Sequence, residues 1–324
     1  MSGSGAKFKA AIPQLGIGLP YFASLPAELY QCGAIDFVEI TPEIMCRQRP
    51  AGDAIELEVV PQQMVRARST CAGLPVVVHG VELSIGSAHG WNGAYLKMLD
   101  TFQEMWPFVW HSEHLGFQTF RDSDGRTEEV GVPLPLPPTS EAADLVARRS
   151  ATILERYGVP FLLENPAYYL PDPPSDAEIG DDIGLMRTIL KRSGSMQLLD
   201  LHNVYCNAVN HHFDPFAAVD RMPLDAVAEI HIAGGSWDGG FWMDAHDGRV
   251  PEPVWELLEY TLPRCPSVGG IVFEMLEDHV PRLGADGIRQ ELTRARNVWM
   301  NRGQGDGYGA TRLPDFTRTV SACL

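Results

Sequence analysis

Short apolar runs alternate with longer stretches of mixed polar and apolar residues along most of this 324-residue chain. The runs are rich in Val, Ile, Leu and Phe and bounded by Gly or Pro, which is typical of strands buried on both faces of a parallel sheet. Eight such runs are centred on Leu15, Val38, Val77, Trp110, Leu162, Leu198, Ile230 and Val272. Segments of helical character follow them, around Ala27, Val59, Leu96, Ala147, Leu185, Phe216, Trp255 and Leu292. Eight strand–helix alternations predict an α/β fold, a closed (β/α)8 TIM barrel.

We expect a single barrel domain over residues 11–301, because no Ser/Gly-rich linker or break in composition divides it. Residues 1–10 are predicted to be a flexible N-terminus, and residues 302–324, which are Gly-rich, a loosely ordered C-terminal tail. One of the longer connections, GGSWDGGFWMDAHDGRVPEP, carries three aromatic residues at Trp237, Phe241 and Trp242. These aromatics either belong to a substrate loop or pack the loop itself.

The composition limits the classes of function. The chain has no run of about eighteen apolar residues and starts without an apolar signal core, so neither a membrane span nor a secretory signal is expected. Its six cysteines show no CxxC spacing, which favours reduced thiols and a cytoplasmic protein. The formal net charge of −17, without a Lys/Arg cluster among aromatics, disfavours nucleic acid as a partner. A neutral or basic peptide is the better candidate.

Five apolar runs end in, or just before, a residue that can bind a metal. These residues are His79, Glu164, Asp200, His231 and Glu274. In a closed barrel the C-terminal ends of the strands converge on one site. A carboxylate there can also be the N-cap of the next helix, and a lone buried histidine is often structural. Five coincidences in the same position relative to their strands favour a metal site.

Finer spacing adds further donors. Asp244 and His246 lie two residues apart in an extended segment, Asp200 and Asn203 lie three apart where a strand ends, and His114 ends the fourth strand. The complete candidate set is His79, His114, Glu164, Asp200, Asn203, His231, Asp244, His246 and Glu274. Imidazoles, carboxylates and one amide, without thiolate, suit Fe, Mn, Zn or Co. The set is too large for one ion, so it predicts a multinuclear cluster.

Eight segments in this order resemble one protein family: VHGVELSIGS, SEHLGF, PLPLPPTSEA, LLENPAYYL, LLDLHNVY, EIHIAGG, MDAHDGRVPEPVWELL and IVFEML. The family is the multinuclear non-haem iron-dependent oxidases, formerly domain of unknown function 692, which include the methanobactin-biosynthesis oxidase. The resemblance implies a TIM barrel of the xylose-isomerase and endonuclease IV type that holds two or three iron ions, as mixed Fe(II)/Fe(III), and uses O2 as co-substrate. It further implies oxidation of residues, commonly cysteine, in a ribosomally synthesised precursor peptide, with a small leader-binding partner protein.

The nine candidate donors match the metal-binding positions of that family. Gly235 departs from its pattern, because many relatives carry histidine there. Glu43 lies where relatives have a glutamate after the second strand, and either contacts metal or supports the site. Asn165 and His202, each next to a candidate ligand, are further candidate supporting residues.

Two other functions fit part of the pattern. Divalent-metal hydrolases and isomerases, such as endonuclease IV and the sugar isomerases, also build metal sites at barrel strand ends. However, Asn203 stands where that endonuclease has histidine, and the basic surface that faces DNA is missing. An amide is a weak ligand that leaves room for a redox metal, so the sequence favours the oxidase. The third interpretation is a non-enzymatic, metal-dependent binding scaffold.

Overall fold

A computed structural model describes residues 11–31, 33–51, 54–170 and 174–303. The predictions of flexible termini at residues 1–10 and beyond 303 lie outside the described residues.

Eight parallel strands close a barrel, and three antiparallel hairpins extend from it. The strands are Gly16–Pro20 (β1), Phe37–Ile40 (β2), Cys46–Ala51 (β3), Ala54–Val59 (β4), Val76–Gly80 (β5), His111–His114 (β6), Gly116–Arg121 (β7), Thr127–Pro135 (β8), Phe161–Glu164 (β9), Met196–Asp200 (β10), Val227–Ala233 (β11), Ser236–Asp238 (β12), Phe241–Met243 (β13) and Gly270–Glu274 (β14). The barrel order is β1-β14-β11-β10-β9-β6-β5-β2, and β1 closes it by pairing with both β14 and β2. The predicted (β/α)8 fold is confirmed, and each barrel strand overlaps its apolar run.

Helices cover the outside of the barrel. They are Glu28–Gln31 (α1), Pro61–Thr70 (α2), Gly93–Met105 (α3), Ser140–Tyr157 (α4), Asp182–Ser193 (α5), Leu201–His211 (α6), Pro215–Arg221 (α7), Glu252–Thr261 (α8) and Val280–Asn301 (α9). Local sequence explains their ends: the Thr139 side chain accepts a hydrogen bond from Ala142 N at the start of α4, and Gly158 ends that helix with φ 65°.

The predicted helix around Val59 is wrong in position. Val59 ends β4, which pairs with β3 in an antiparallel hairpin, and the helix α2 begins only at Pro61. Proline is tolerated in the first turn of a helix but not in its interior, which fixes this boundary. Arg47 pairs with Glu58 at 3.0 Å across the hairpin, so charged side chains sit opposite each other on an exposed ribbon.

Helix α6 and the β7–β8 and β12–β13 hairpins also have no predicted counterpart. Helix α6 follows β10 directly, and the helix predicted around Phe216 is the separate, shorter α7. Two prolines of the segment that precedes α4, Pro133 and Pro135, lie in β8, which among the described strands pairs only with β7. Proline cannot donate to a strand ladder, but an edge strand tolerates it.

An apolar layer fills the barrel interior below the strand ends. Its members are Phe37, Val77, Trp110, Leu162, Leu198, Ala228 and Val272. Side chains two residues apart on a strand point the same way. Therefore the residues two positions after four of these also point into the barrel, and they are His79, Glu164, Asp200 and Glu274. The apolar layer is the floor of the candidate site.

The state of the cysteines and the hydrophobicity of the helices bear on two predictions made from the composition. Cys46, Cys71, Cys206 and Cys265 are free thiols. Burial raises the pKa of the Cys206 and Cys265 thiols to about 12, so both stay protonated near neutral pH. Across residues 11–303, as far as they are described, no helix is long and apolar enough to cross a membrane.

Candidate metal centre

The predicted donors converge at the C-terminal end of the barrel. Their donor atoms form four groups, within each of which all atoms lie within 4.8 Å of one another. The groups are His79, His114 and Glu164; Glu164, Asp200 and His231; Glu39, His231 and Glu274; and His202, Asp244 and His246. Glu164 and His231 each belong to two groups, so the first three groups are linked through shared residues. Asn203 joins them through a 3.1 Å hydrogen bond from its Nδ2 to Glu164 Oε1.

His79 is held in the tautomer that a metal ligand requires. The Ser112 hydroxyl donates its only hydrogen to Val78 O at 3.1 Å, so Ser112 Oγ accepts from Nδ1–H of His79 at 3.0 Å. Nε2 of His79 therefore carries a lone pair. This nitrogen points into the site, 3.3 Å from Glu164 Oε2.

Glu164 Oε2 lies between two imidazoles without a hydrogen bond. Nε2 of His114 lies 3.4 Å away, close to the distance from His79 Nε2. Among the described residues this buried oxygen has no hydrogen-bond partner. A buried carboxylate oxygen between two imidazoles is an arrangement that a bound cation can complete. The residues here fit a metal ion.

Asp200 has two roles at once. Its Oδ1 accepts from Asn203 N at 2.5 Å and caps α6, so the N-cap interpretation is correct for this oxygen. Its buried Oδ2, like Asn203 Oδ1, has no hydrogen-bond partner in the described chain. The predicted supporting residue Asn165 fixes the Asp200 backbone, donating to its carbonyl at 2.9 Å and accepting from its N–H at 3.0 Å. Two oxygens are therefore free to bind a metal on a rigid helix start.

Asp244 and His246 approach from the segment after β13. Nε2 of His246 lies 2.8 Å from Asp244 Oδ1 and 3.8 Å from Glu274 Oε2. Neither contact has hydrogen-bond geometry, since this nitrogen has no hydrogen-bond partner among the residues described. The His246 backbone has φ 49°, and its carbonyl accepts from Leu276 N at 3.2 Å. The segment thus connects Glu274, at the end of β14, to Asp244 and His246 in the loop.

Glu39 is a site residue that the sequence analysis missed. Its Oε2 lies 3.0 Å from His231 Nε2, while His231 Nδ1 lies 3.1 Å from Glu274 Oε2. Glu39 is 2% exposed and stands inside the apolar run of β2, where an unexplained charge was the available signal. A carboxylate that accepts from one imidazole nitrogen and orients the other is typical of metal sites.

Glu43, the residue that the sequence analysis singled out after the second strand, lies outside the four groups. Its Oε1 accepts from Val81 N at 2.9 Å and from Glu82 N at 3.1 Å. Burial, with repulsion from Glu113, raises its pKa to about 8. Glu43 therefore holds the backbone that follows β5, the strand of His79.

The electrostatics also fit bound cations. Burial, and next to it repulsion from Asp200, raises the pKa of Glu164 far above its ordinary value. Burial, with repulsion from Asp244, raises the pKa of Asp200 to about 7. Burial lowers the pKa of His114 to about 4 and that of His79 well below its usual range. A cation reverses the balance for these carboxylates and suits the neutral imidazoles of His79 and His114. At His231 and His246 the neighbouring carboxylates outweigh burial and raise the pKa well above its ordinary value.

The aromatic residues of the candidate substrate loop form the β12–β13 hairpin at the site. Trp237 and Phe241 are 47% and 40% exposed. Trp242 instead donates its indole N–H to His202 Nε2 at 3.1 Å. Two of the three aromatics are thus open to a ligand, and the third is tied to the site.

The amino-acid sequence over residues 14–300 matches a family described as RiPP precursor modification enzyme MbnB/TglH/ChrH. The chain belongs to this family. A UPF0276 protein of Caulobacter vibrioides (strain NA1000 / CB15N) is 33% identical over 268 residues, which are 82% of this chain and 86% of the relative. A UPF0276 protein of Anaeromyxobacter sp. (strain Fw109-5) is 35% identical over 225 residues, or 69% of this chain and 75% of the relative. The family of RiPP-modifying enzymes that the sequence resembles is thereby confirmed.

Solved structures resemble the chain in fold. D-psicose 3-epimerase in the presence of D-fructose superposes with a TM-score of 0.51 at 11% identity, covering 89% of this chain and 98% of that chain. D-psicose 3-epimerase with D-tagatose, from Clostridium cellulolyticum H10, gives the same score and identity over 88% and 98%. At this identity the likeness shows the barrel fold alone.

Proposed function

We propose that this member of the RiPP precursor modification family is a multinuclear, iron-dependent oxidase that uses O2 to modify residues of a precursor peptide, most often cysteine. The observation that carries the proposal is the set of donor groups at the barrel mouth, which share Glu164 and His231 and in which one oxygen each of Glu164 and Asp200 has no hydrogen-bond partner among the described residues. Nitrogen and oxygen donors without thiolate suit iron in two accessible oxidation states.

We assign the nine predicted donors as the ligands of two or three iron ions. They are His79, His114, Glu164, Asp200, Asn203, His231, Asp244, His246 and Glu274. Sharing of Glu164 and His231 between donor groups supports ions held close together. Glu39, Ser112 and Asn165 orient ligands through the hydrogen bonds described above.

Bound iron would supply the redox chemistry that consumes O2. The chain's own part is to hold and shield the centre. Its ligands stand on strand ends above the apolar layer, where packing fixes their positions. Glu164, Asp200 and His231 are at most 2% exposed, so water has little access to that side of the centre.

The surface around the mouth supports a peptide as the substrate. Eight of the ten large hydrophobic side chains that are exposed in the described chain lie in segments that follow barrel strands at this end. They are Ile44, Ile55, Phe120, Val132, Leu170, Trp237, Phe241 and Leu276. Apolar surface concentrated around a site is typical of a surface that binds a peptide or protein. It fits a precursor peptide presented by a small leader-binding partner protein, and the net charge of −17 argues against nucleic acid.

Metal analysis and Mössbauer spectroscopy after anaerobic purification test the proposal. We expect about two or more irons per chain, and zinc alone would contradict an oxidase. His231→Ala and Asp244→Ala should each lose iron together with an O2-dependent mass change in the co-expressed precursor peptide. Cleavage of an abasic-site duplex, or epimerisation of a ketohexose, by the zinc- or manganese-loaded protein would instead favour the hydrolase or isomerase.

A further inference from the structure

The buried His202 uses both of its ring nitrogens. It is 0% exposed and lies in the first turn of α6, beneath the β12–β13 hairpin. Its Nε2 faces Trp242 Nε1 at 3.1 Å, and its Nδ1 faces Asp244 Oδ1 at 2.8 Å. An indole N–H can only donate, so Nε2 of His202 accepts and carries no hydrogen. The hydrogen is then on Nδ1, which donates it to Asp244.

The two imidazoles that flank Asp244 differ in kind. Nδ1 of His202 and Nε2 of His246 both lie 2.8 Å from Asp244 Oδ1. The His202 contact has hydrogen-bond geometry, whereas His246 Nε2 finds no hydrogen-bond partner anywhere in residues 11–303 as described. A nitrogen that donates a hydrogen cannot offer its lone pair to a metal. His246 is therefore disposed as a ligand, and His202 is not.

We infer that His202 is a positioning residue, which orients the Asp244 carboxylate through Nδ1–H while Trp242 fixes its tautomer. This inference rests on the proposed role of Asp244 as a metal ligand. By distance His202 belongs to one of the four donor groups, together with Asp244 and His246. Under this inference it does not itself bind the metal. It also gives Trp242 a structural task, distinct from that of the exposed Trp237 and Phe241.

The hairpin that carries Trp242 is held to α6 by hydrogen bonds to the Trp242 backbone. The Asn210 side chain donates to Trp242 O at 2.9 Å and accepts from Trp242 N at 2.8 Å, as a neighbouring strand would. Cys206 Sγ–H donates to the same carbonyl at 3.0 Å. Because the Trp242 backbone is held at both polar atoms, its ring position depends on helix α6, which also carries His202.

His202 explains the glycine at position 235. A Cβ on Gly235 would lie 2.6 Å from His202 Nε2 and 2.3 Å from Met243 O. Neither neighbour can retreat, because His202 is bonded on both sides and Met243 O is backbone. Any side chain at position 235 would push His202 off Asp244 or the hairpin off α6. Gly248 of the same loop offers a control, because a Cβ there would meet no atom within 4 Å.

Anaerobic titration with Fe(II), and separately with Zn(II), against a competing chelator tests the inference. His202→Leu removes the donor, whereas His202→Asn keeps an N–H near the place of Nδ1. We expect every variant to bind as many ions as the wild type. The ion that Asp244 holds should bind about 10–100-fold more weakly in His202→Leu, as is usual when a ligand loses its orienting group, and within a few-fold of wild type in His202→Asn.

Trp242→Phe and Gly235→Ala should weaken the same ion, while Gly248→Ala should not. Thermal unfolding of each metal-free variant shows whether it folds. A loss of one bound ion in both His202 variants would make His202 a ligand and overturn the inference, as would wild-type affinity in all of them.

Long-range ¹H–¹⁵N spectra of the zinc-loaded protein read the tautomer directly, with His202→Asn to assign the signal. Hydrogen on Nδ1 is expected, and hydrogen on Nε2 or metal on Nδ1 would refute the inference. If the wild type takes up zinc but no iron, the proposed oxidase function fails. In that case the relative Zn(II) affinities of the variants still decide the role of His202.

Discussion

Glu39→Gln is the sharpest test of how the protein orients its candidate ligands. Glu39 Oε2 lies 3.0 Å from His231 Nε2, and both side chains are at most 2% exposed. Glutamine keeps the shape but replaces the charged acceptor by a neutral one. A buried hydrogen bond to a charged group contributes about 1.5–3 kcal/mol, which is roughly a 10–100-fold change in binding. Loss of an orienting partner in known metal sites weakens binding by about the same factor.

The metal-free protein should respond in the opposite direction. Burial raises the pKa of Glu39, and the His231 imidazole only partly offsets this effect. An amide does not carry that cost of desolvation, so we expect metal-free Glu39→Gln to unfold at the wild-type temperature or above it. Weaker metal binding without lost stability distinguishes orientation of a ligand from general damage to the core.

Glu229→Gln is the matched control. Glu229 lies on β11 two residues before His231, is 0% exposed, and accepts from Trp110 Nε1 at 2.8 Å. It belongs to none of the four donor groups. Competition of Fe(II) with a chromogenic chelator, without oxygen, should give wild-type affinity for Glu229→Gln and a 10–100-fold loss for Glu39→Gln, about what removal of an orienting partner costs. Equal affinities for the two variants would refute the reasoning.

Three further predictions follow from the same geometry. Ser112→Ala leaves His79 Nδ1–H without its acceptor. It should therefore weaken metal binding about tenfold in the same competition assay. Unchanged affinity would contradict the assigned tautomer. Asn203→Ala removes both a free oxygen and the hydrogen bond to Glu164. It should therefore lower the metal stoichiometry or affinity, measured by elemental analysis. A substitution on the outer surface of the barrel should leave both unchanged. Burial raises the pKa of Glu43, Glu113 and Glu229 to about 8, so between about pH 6.5 and 8 these carboxyls keep protons when folded that they lose when unfolded. Urea unfolding of the metal-free protein should therefore show stability falling as the pH rises through this window and levelling above it; a rise would show that these groups are ionised in the fold.

The barrel and most of the candidate site could be predicted because both depend on local periodicity. A strand buried on both faces shows as an unbroken apolar run, and the residue at its C-terminal end is then near the barrel mouth whatever the loops do. His79, Glu164 and Asp200 follow from this rule alone. The Asp200 case also shows why the choice between N-cap and ligand was not exclusive, since each carboxylate oxygen takes one role.

Glu39 lies two residues after Phe37 and therefore points into the barrel, but its role, like the hairpins, depends on neighbours distant in sequence. Glu39 orients His231 across 192 positions of chain, and nothing near Glu39 indicates that partner. Glu43 drew attention because it follows a strand, and its Oε1 holds the loop after β5. The β3–β4 hairpin is stabilised by cross-strand pairs on an exposed ribbon, so it lacks the apolar run by which buried strands are recognised.

Helix α6, which has no predicted counterpart, combines a buried apolar face with a polar face that contacts three parts of the candidate site. Asn203, Asn207 and Asn210 lie four and three residues apart, which places them along one helix face. Asn203 bonds Glu164, Asn207 accepts from Tyr168 N in the segment after β9, and Asn210 holds the backbone of Trp242. One helix therefore fixes a ligand, the connection after β9 and the hairpin after β11 relative to each other. A polar face would expose a helix to solvent elsewhere, but here each amide replaces a backbone partner that the loops lack. The amides of α6 thus hold the connection after β9, the β12–β13 hairpin and the candidate metal ligands in a common geometry.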